Sequence, residues 1–192
     1  MAKLYFRYGA MNSGKSTALI QVAHNYKERG MEVLVLKPLL DTKEGKLISS
    51  RIGIGKKADY LVDDSMDLFL LIKGLRAPSC VLVDEVQFFS PEQIDQLFRV
   101  AVEVDIPVIC YGLRTDFSMR GFPASGRLLL LAHSIEELKT ICRCGKKAIF
   151  NARKVAGEFV FEGDQVVIDN QADVAYEALC GQCYLKYRRK YE

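Results

Sequence analysis

The sequence predicts an α/β protein with a parallel sheet, followed by a small β-rich module at its C-terminal end. Three observations predict this class. Strand and helix patterns alternate up to about residue 140, a glycine-rich loop follows the first strand, and closely spaced cysteines mark a change of pattern from Cys142 onward. We therefore expect one domain over residues 1–140 and a second over residues 141–192. A chain of 192 residues is long enough for one core with a small appendage.

The N-terminal segment has the pattern of a βαβ unit. Leu4 to Tyr8 is a short apolar run typical of a buried strand, and residues 16–29 carry apolar side chains at helical spacing before Gly30. The β-branched run over 32–36 predicts the next strand. A βαβ unit favours parallel strands joined by a right-handed crossover.

The same alternation continues along the chain. The predicted elements are a long polar loop over 38–58, a helix over 65–75, a central strand over Cys80–Val83, a helix from Ser90 to about Val104, and a strand over 106–111. The helix that starts at Ser90 has Pro91 at its first position and Gln93 at its third, a typical N-terminal pattern. Short strands over 148–153, 158–161 and 165–168 make the C-terminal module β-rich.

The segment after the first strand fits the phosphate-loop pattern G-x-x-x-x-G-K-[ST]. Glycines let backbone N–H groups turn toward phosphate oxygens, and the N-terminus of the following helix adds a partial positive charge. Lys15 is placed to reach the β- and γ-phosphates, and the Ser16 hydroxyl to bind Mg²⁺. The residues of the loop are Gly9, Ala10, Met11, Asn12, Ser13, Gly14, Lys15 and Ser16. The alternative is a tight turn with an exposed lysine.

Two acidic residues, Asp84 and Glu85, end the apolar run of the central strand. We expect Asp84 to hold Mg²⁺ and Glu85 to accept a proton from the attacking oxygen. Neighbouring strand residues point to opposite faces, so both serve one site only if the chain leaves the sheet here. For Glu85 the alternative is an ordinary surface charge. The residues do not decide whether the attacking group is water or a substrate hydroxyl.

Four cysteines form two close pairs near the C-terminal end: Cys142 with Cys144, and Cys180 with Cys183. Four thiolates in two pairs fit a closed tetrahedral zinc site, and a filled shell leaves no position for chemistry. We therefore predict a structural Zn²⁺ here. The isolated Cys80 and Cys110 lie in predicted strands and are expected to be buried apolar residues.

An aromatic segment follows the strand that ends near Tyr111, at the sheet edge predicted for the phosphate loop. Phe88, Phe117 and Phe122 could stack on a flat base, and two arginines, Arg114 and Arg120, could face phosphates. Core packing of the rings and solvated arginines are the alternative.

Composition narrows the function classes. Apolar residues make up 49%, charged residues 27% and the net charge is +3. This mix is typical of a globular protein and does not favour nucleic acid as a partner. We expect no membrane span and no signal peptide, and hence a cytoplasmic protein. On the residues alone, a kinase, an ATPase motor or switch, and a zinc-ribbon binding module stay open. The absence of an N-K-x-D sequence argues against a GTPase.

The chain resembles the cytoplasmic, zinc-containing (type II) thymidine kinases. The segments that carry the resemblance are GAMNSGKST, VLVDEVQFF, YGLRTDF, ICRCGKKA, QVVI and YEALCGQCY, which span nearly the whole chain in the order of that family. The resemblance implies a RecA-like P-loop domain and a zinc-bearing lasso domain. It implies transfer of the γ-phosphate of ATP to the 5′-hydroxyl of thymidine, which gives dTMP in nucleotide salvage.

The resemblance also implies individual roles. Glu85 would deprotonate the 5′-hydroxyl, and Gln87 would belong to the ATP-binding stretch together with Asp84. Residues implied to contact thymidine are Met11, Phe88, Leu113, Phe117, Phe122, Val166, Val167, Ile168 and Tyr176. Members of the family are commonly homotetramers inhibited by the end product dTTP, so we expect both properties. Lys43 stands where the family often has an arginine, and a lysine cannot make bidentate contacts.

Overall fold

The computed structural model of the chain describes residues 1–40, 45–50, 53–163, 165 and 174–190. Its main element is a six-stranded sheet in which all neighbouring strands are parallel, in the order β5-β2-β6-β7-β1-β8. The strands are β1 (Leu4–Tyr8), β2 (Val33–Pro38), β5 (Tyr60–Val62), β6 (Cys80–Val83), β7 (Val108–Gly112) and β8 (Ser134–Glu137). The predicted α/β class with a parallel sheet is confirmed.

Helices cover both faces of this sheet. They are α1 (Lys15–Glu28), α2 (Leu68–Gly74), α3 (Pro91–Glu103) and α4 (Pro123–Leu131). Because strand side chains alternate, Leu82 packs in one core with Leu19 of α1, whereas Val83 packs in the other with α2, α3 and α4. None of the helices in the described part of the chain is long and apolar enough to cross a membrane.

Cys80 and Cys110 lie on opposite faces of the sheet, and each is fully buried in an apolar core. Burial raises the pKa of the Cys80 thiol to about 11, and burial likewise raises the pKa of the Cys110 thiol. Both therefore remain neutral thiols, which confirms the expectation that they are buried apolar residues.

The N-terminal pattern of α3 is confirmed: Ser90 Oγ accepts from the Gln93 N–H, and the Gln93 side chain accepts from the Ser90 N–H. The predicted start of α2 at residue 65 is wrong. Asp63 accepts hydrogen bonds from the N–H and the hydroxyl of Ser65 and makes a turn there, and Asp67 caps the helix instead. Helix α2 therefore begins three residues later.

The long polar segment after β2 is not a plain loop. It contains a hairpin of β3 (Leu47–Ser49) and β4 (Gly55–Lys57). Ile48 is buried against α1, and the buried Lys37 ammonium donates to the Leu47 carbonyl at 3.0 Å. These short strands were not predicted because Ile48 is their one buried apolar side chain, which is too weak a pattern to indicate a strand. Lys43 lies outside the described residues.

The C-terminal module is built from short strands, as predicted, and the structure shows that they pair antiparallel. Its elements are β9 (Thr140–Ile141), β10 (Lys147–Ala148), β11 (Phe150–Val155), β12 (Glu158–Val160), β13 (Val174–Leu179) and the helix α5 (Gly181–Arg188). Strand β11 pairs with both β12 and β13. Of the strand predicted over 165–168, Gln165 is not in a strand and the rest lies outside the described residues.

Candidate functional site

The phosphate loop connects β1 to α1 through backbone conformations that few residues adopt. Gly14 has φ 81° and Asn12 has φ 65°, both in the left-handed region. A Cβ on Gly9 would lie 2.3 Å from the Leu138 carbonyl oxygen, so only glycine fits. This close packing holds the loop at the end of β1 and directs the N-terminus of α1 toward the sheet edge.

Lys15 is the first residue of α1, and its ammonium folds back over the loop. It is 8% exposed and donates to the carbonyls of Gly9 at 3.1 Å and Ala10 at 3.0 Å. Burial lowers the pKa of Lys15, and the nearby carboxylates of Glu85 and Asp84 oppose that shift. The ammonium is thus held at the loop, close to both carboxylates.

The Ser13 hydroxyl is buried in the same loop and has no hydrogen-bond partner among the described residues. A buried hydroxyl without a partner is costly in free energy, and a phosphate oxygen would satisfy it. Ser16 lies in the first turn of the helix, and its hydroxyl oxygen is a ligand type that divalent cations such as Mg²⁺ accept. The loop therefore fits a bound triphosphate with a divalent cation.

The acidic pair lies where the chain leaves the central strand. Strand β6 ends at Val83, Asp84 is buried, and Glu85 has φ 45° and ψ 42°. That left-handed residue turns the chain out of the sheet into a 3₁₀ turn over Val86–Phe88. The condition under which both carboxylates serve one site is met. Both act electrostatically on Lys15, which places them beside the phosphate loop.

Gln87 occupies the space between this pair and the end of β7. Its Nε2 donates to Glu85 Oε2, and its Oε1 accepts from the Leu113 N–H at 2.9 Å. The side chain is buried, with 3% exposure. The resemblance implies that Gln87 belongs to the ATP-binding stretch, which stays a prediction; in the structure its contacts join Glu85 to Leu113.

The aromatic segment forms a tight loop after β7. The Asp116 carboxylate accepts from the Ser118 and Arg120 N–H groups, each at 2.9 Å, and fixes the turn. Leu113, Phe117 and Phe122 are buried, and the Phe122 ring lies edge-on to Phe88 with centroids 5.8 Å apart. Arg114 lies over the ring of Tyr8, 5.3 Å from its centroid. The structure thus brings Phe88 and Phe122 into contact and buries Phe117 in the same loop as Phe122.

Arg153 is a residue of this site that sequence reasoning missed. It lies in β11 and is 3% exposed, with its guanidinium carbon 3.6 Å from the centroid of the Phe117 ring. Its Nε donates to the Tyr176 hydroxyl at 3.2 Å. The one signal in the sequence that could have indicated this role was an arginine within a predicted short strand. Val166, Val167 and Ile168 lie outside the described residues.

Two further hydrogen bonds join the C-terminal module to the first domain. The Met11 N–H donates to Asn151 Oδ1 at 2.7 Å, and the Tyr184 hydroxyl donates to the Phe117 carbonyl at 2.6 Å. Asn151 and Tyr184 are both buried. The module is thereby attached to the phosphate loop at one point and to the aromatic loop at another.

The four paired cysteines converge on a single point. Their Sγ atoms all lie within 4.8 Å of one another, and those of Cys144 and Cys180 are 3.6 Å apart. A tetrahedral zinc with Zn–S bonds of about 2.3 Å separates its sulfurs by roughly 3.8 Å. Gly145, with φ 82°, closes the turn after the first pair. The cluster could hold a metal ion of this size and preference.

The environment of the cluster favours the thiolate form at two of its cysteines, Cys142 and Cys180, and disfavours it at Cys183. Burial opposes ionisation of Cys142, but hydrogen bonds from the Cys144 and Cys180 backbones outweigh it and lower the pKa of that thiol to about 7. The neighbouring thiols, led by Cys144, raise the pKa of Cys183 to about 12. Hydrogen bonding, led by the Cys183 N–H, also lowers the pKa of the Cys180 thiol. Cys142 and Cys180 therefore ionise more readily than Cys183, and a bound cation would displace the proton from Cys183.

Comparison with known proteins gives consistent matches over almost the full length. A family model described as thymidine kinase matches residues 2–184. The chain is 47% identical to the thymidine kinase of Enterobacteria phage T4, with 99% of each chain covered. It is 47% identical to that of Ruegeria pomeroyi, with 94% of this chain and 92% of the relative covered. For that of Francisella tularensis the identity is 42%, with 94% and 95% covered.

Proposed function

The chain belongs to the thymidine kinase family, and from that premise we infer a phosphotransferase that moves the γ-phosphate of ATP to the 5′-hydroxyl of thymidine. The protein phosphorylates thymidine and gives dTMP. The observation that carries the assignment to a site is the arrangement of a buried lysine, two carboxylates and an aromatic loop at one sheet edge. A donor site and an acceptor site meet there.

On the donor side, we propose that the phosphate loop binds ATP. Backbone N–H groups of Gly9 to Ser16 and the N-terminus of α1 would face the phosphates, and the Ser13 hydroxyl would gain a partner. Lys15 would exchange its carbonyl contacts for the β- and γ-phosphates. Ser16 and Asp84 are the oxygen donors that would hold Mg²⁺, which supplies charge neutralisation when bound with ATP.

On the acceptor side, we propose that Glu85 is the general base. Its carboxylate takes the proton of the 5′-hydroxyl while that oxygen forms a bond to the γ-phosphorus, and the bond from phosphorus to the bridging oxygen of ADP breaks. The proposed thymidine pocket is lined by Met11, Phe88, Leu113, Phe117, Phe122, Val166, Val167, Ile168 and Tyr176. A pocket that excludes water would favour transfer over hydrolysis.

We propose that the cysteine cluster holds a structural Zn²⁺. Cys142 and Cys144 would supply two ligands from the β9–β10 hairpin, and Cys180 and Cys183 two from the start of α5. The ion would supply no chemistry because four thiolates fill its coordination shell. Its effect would be to join hairpin and helix in a module with a small apolar core.

We also propose a cytoplasmic homotetramer that dTTP inhibits. The dTTP molecule carries both a thymidine and a triphosphate, so it could occupy the acceptor pocket and direct its phosphates toward the donor loop. Inhibition should then be competitive with thymidine.

Light scattering of the purified protein tests the proposed homotetramer, and a monomer at micromolar concentration would contradict it.

The reaction is tested by an assay of ATP consumption with each deoxynucleoside. Thymidine should support turnover and yield thymidine 5′-monophosphate, identified by mass spectrometry. ATP hydrolysis without thymidine, stimulated by DNA or by a protein, would instead favour an ATPase motor. Binding of DNA at physiological salt without ATP turnover would favour a zinc-ribbon binding module.

Replacing Lys15 with Met should lower kcat by roughly 100- to 1,000-fold, because a charge aimed at the transferring phosphate is lost. Folding should not suffer, since methionine has similar length and the buried ammonium is already disfavoured by burial. The measurement is steady-state turnover together with the melting temperature. Lys27→Met, at the exposed last turn of the same helix, is the matched control. If the Lys15 variant retained at least half of the wild-type turnover, the proposed contact between Lys15 and the phosphates would be contradicted.

Replacing Arg153 with Met should raise the KM for thymidine about tenfold and leave the KM for ATP unchanged. The guanidinium supports the Phe117 ring and holds the Tyr176 hydroxyl, and both belong to the proposed acceptor pocket. Arg189→Met, at an exposed position in the same module, is the control. Equal increases in both KM values would show instead that Arg153 acts on the site as a whole, whereas a loss of folded protein would lower kcat and leave both KM values unchanged.

A further inference from the structure

The Gln87 side chain is held by groups that require an amide at this position. A carboxylate oxygen of Glu85 can only accept, and the Leu113 N–H can only donate. An amide has one donating end and one accepting end, so it satisfies both groups in a single orientation. A flipped amide would place oxygen against carboxylate and NH₂ against N–H. The observed orientation is therefore fixed by chemistry.

The fold leaves space for this amide by ending β7 with Gly112. A Cβ on Gly112 would lie 2.6 Å from Gln87 Oε1 and 2.8 Å from Val86 Cγ1, both too close for real contacts. The backbone N–H that Gln87 binds belongs to the next residue, Leu113. The glycine at 112 thus allows β7 to approach the turn that carries the acidic pair.

Glu85 needs an external support because its own backbone gives little. It is partly buried and lies in the left-handed conformation between the end of β6 and a single 3₁₀ turn. The hydrogen bond from Gln87 Nε2 occupies Oε2, which leaves Oε1 available to an incoming hydroxyl. The same amide fixes Leu113, the first residue of the aromatic loop. The Gln87 side chain therefore holds both the proposed general base, Glu85, and the start of the aromatic loop.

We propose that Gln87 is a positioning residue for phosphoryl transfer, which acts through Glu85 by holding its carboxylate in register with the loop that begins at Leu113. The proposal rests on the proposed role of Glu85 as general base. It assigns the Gln87 amide to the acceptor side of the reaction, with ATP binding unaffected by it.

The sharpest test is Gln87→Glu, because the two side chains have nearly the same shape. The new carboxylate can still accept from the Leu113 N–H but cannot donate to Glu85. We expect kcat with thymidine to fall about 10- to 100-fold, the range for a lost hydrogen bond to a charged group. The dissociation constant of a fluorescent ATP analogue should change little, whereas burial of a second carboxylate against Glu85 should lower the melting temperature.

A double-mutant cycle separates positioning from a merely structural role. In a Glu85→Gln background, adding Gln87→Glu should lower kcat by less than twofold, because the group that Gln87 positions is already gone. The Gln87→Glu variant alone should also recover activity relative to wild type as pH falls from 8 to 6, since a proton shared between two adjacent carboxylates restores a donor.

Gly112→Ala probes the same contact from the other side and guards against a Gln87 variant that fails to fold. Its added methyl group should displace the Gln87 amide and lower kcat, again without a further effect in the Glu85→Gln background. Turnover of Gln87→Glu within twofold of wild type, or full additivity with Glu85→Gln, overturns the proposal. If wild type makes no dTMP, or Glu85→Gln is fully active, the proposed function itself fails, so the two failures are distinguishable.

Discussion

Replacing Glu85 with Gln should lower kcat for thymidine phosphorylation by about 100- to 10,000-fold, the contribution typical of a positioned general base. Glutamine keeps the length and shape of the side chain but cannot take the proton of the 5′-hydroxyl. The Gln87 amide can still find a carbonyl oxygen to donate to, so the turn that carries residue 85 should keep its conformation. Steady-state kinetics with saturating ATP and thymidine measure the effect.

ATP binding should survive in the Glu85→Gln variant, because the phosphate loop and its lysine are untouched. Titration of a fluorescent ATP analogue checks this, and Glu32→Gln at an exposed position is the matched control. If the Glu85 variant turned over thymidine at the wild-type rate, the general base would have to be another group. Loss of both ATP binding and folded structure would mean that the carboxylate has a structural role.

Removing the metal from the cysteine cluster should unfold the C-terminal module and abolish thymidine phosphorylation. A structural zinc contributes on the order of 10 kcal/mol of apparent free energy to small modules, and the apolar core here is small. The attachments of the module to Phe117, through Tyr184 and Arg153, would be lost with it. The acceptor side should therefore fail first, while the first domain still binds ATP.

Chelator treatment, metal analysis and limited proteolysis together measure this effect. Cys180→Ser should behave like the chelated protein, whereas Cys80→Ala, at a buried cysteine of the main sheet, should keep its full metal content. A chelated protein with wild-type turnover and an intact C-terminal module would show that these four thiols hold the fold without a cation.

Metal retention should also weaken as pH falls. The pKa of the Cys142 thiol is depressed from 9.0 to about 7, so the stability linked to its thiolate is fully present above pH 9 and is lost as pH falls through 7. Protons then compete with the metal for the same sulfur atoms. Zinc release followed with a colorimetric chelator should increase from pH 8 to pH 5. A pH-independent release would contradict thiolate ligation.

The elements that were predicted correctly are those whose signal is local. The apolar run of β6, the capping box of α3 and the glycine loop before α1 each lie within a few consecutive residues. The elements that were missed have weak local signals. Strand β8 is an exposed edge strand that carries two glutamates, and α4 follows directly from the aromatic loop. Their positions depend on pairing with β1 and packing on the sheet, which periodicity does not record.

Sequence patterns alone predicted the phosphate loop, the acidic pair and the two cysteine pairs, because the members of each lie next to one another or within a few positions. The folded structure was needed to show that Gln87 joins Glu85 to Leu113, that Arg153 stacks on Phe117, and that Asn151 binds the backbone of Met11. Apart from the hydrogen bond between Glu85 and Gln87, these contacts connect residues that are far apart in the chain. They form because the parallel strands end at one edge of the sheet and the C-terminal module packs against that edge. Patterns among neighbouring residues do not predict such long-range contacts.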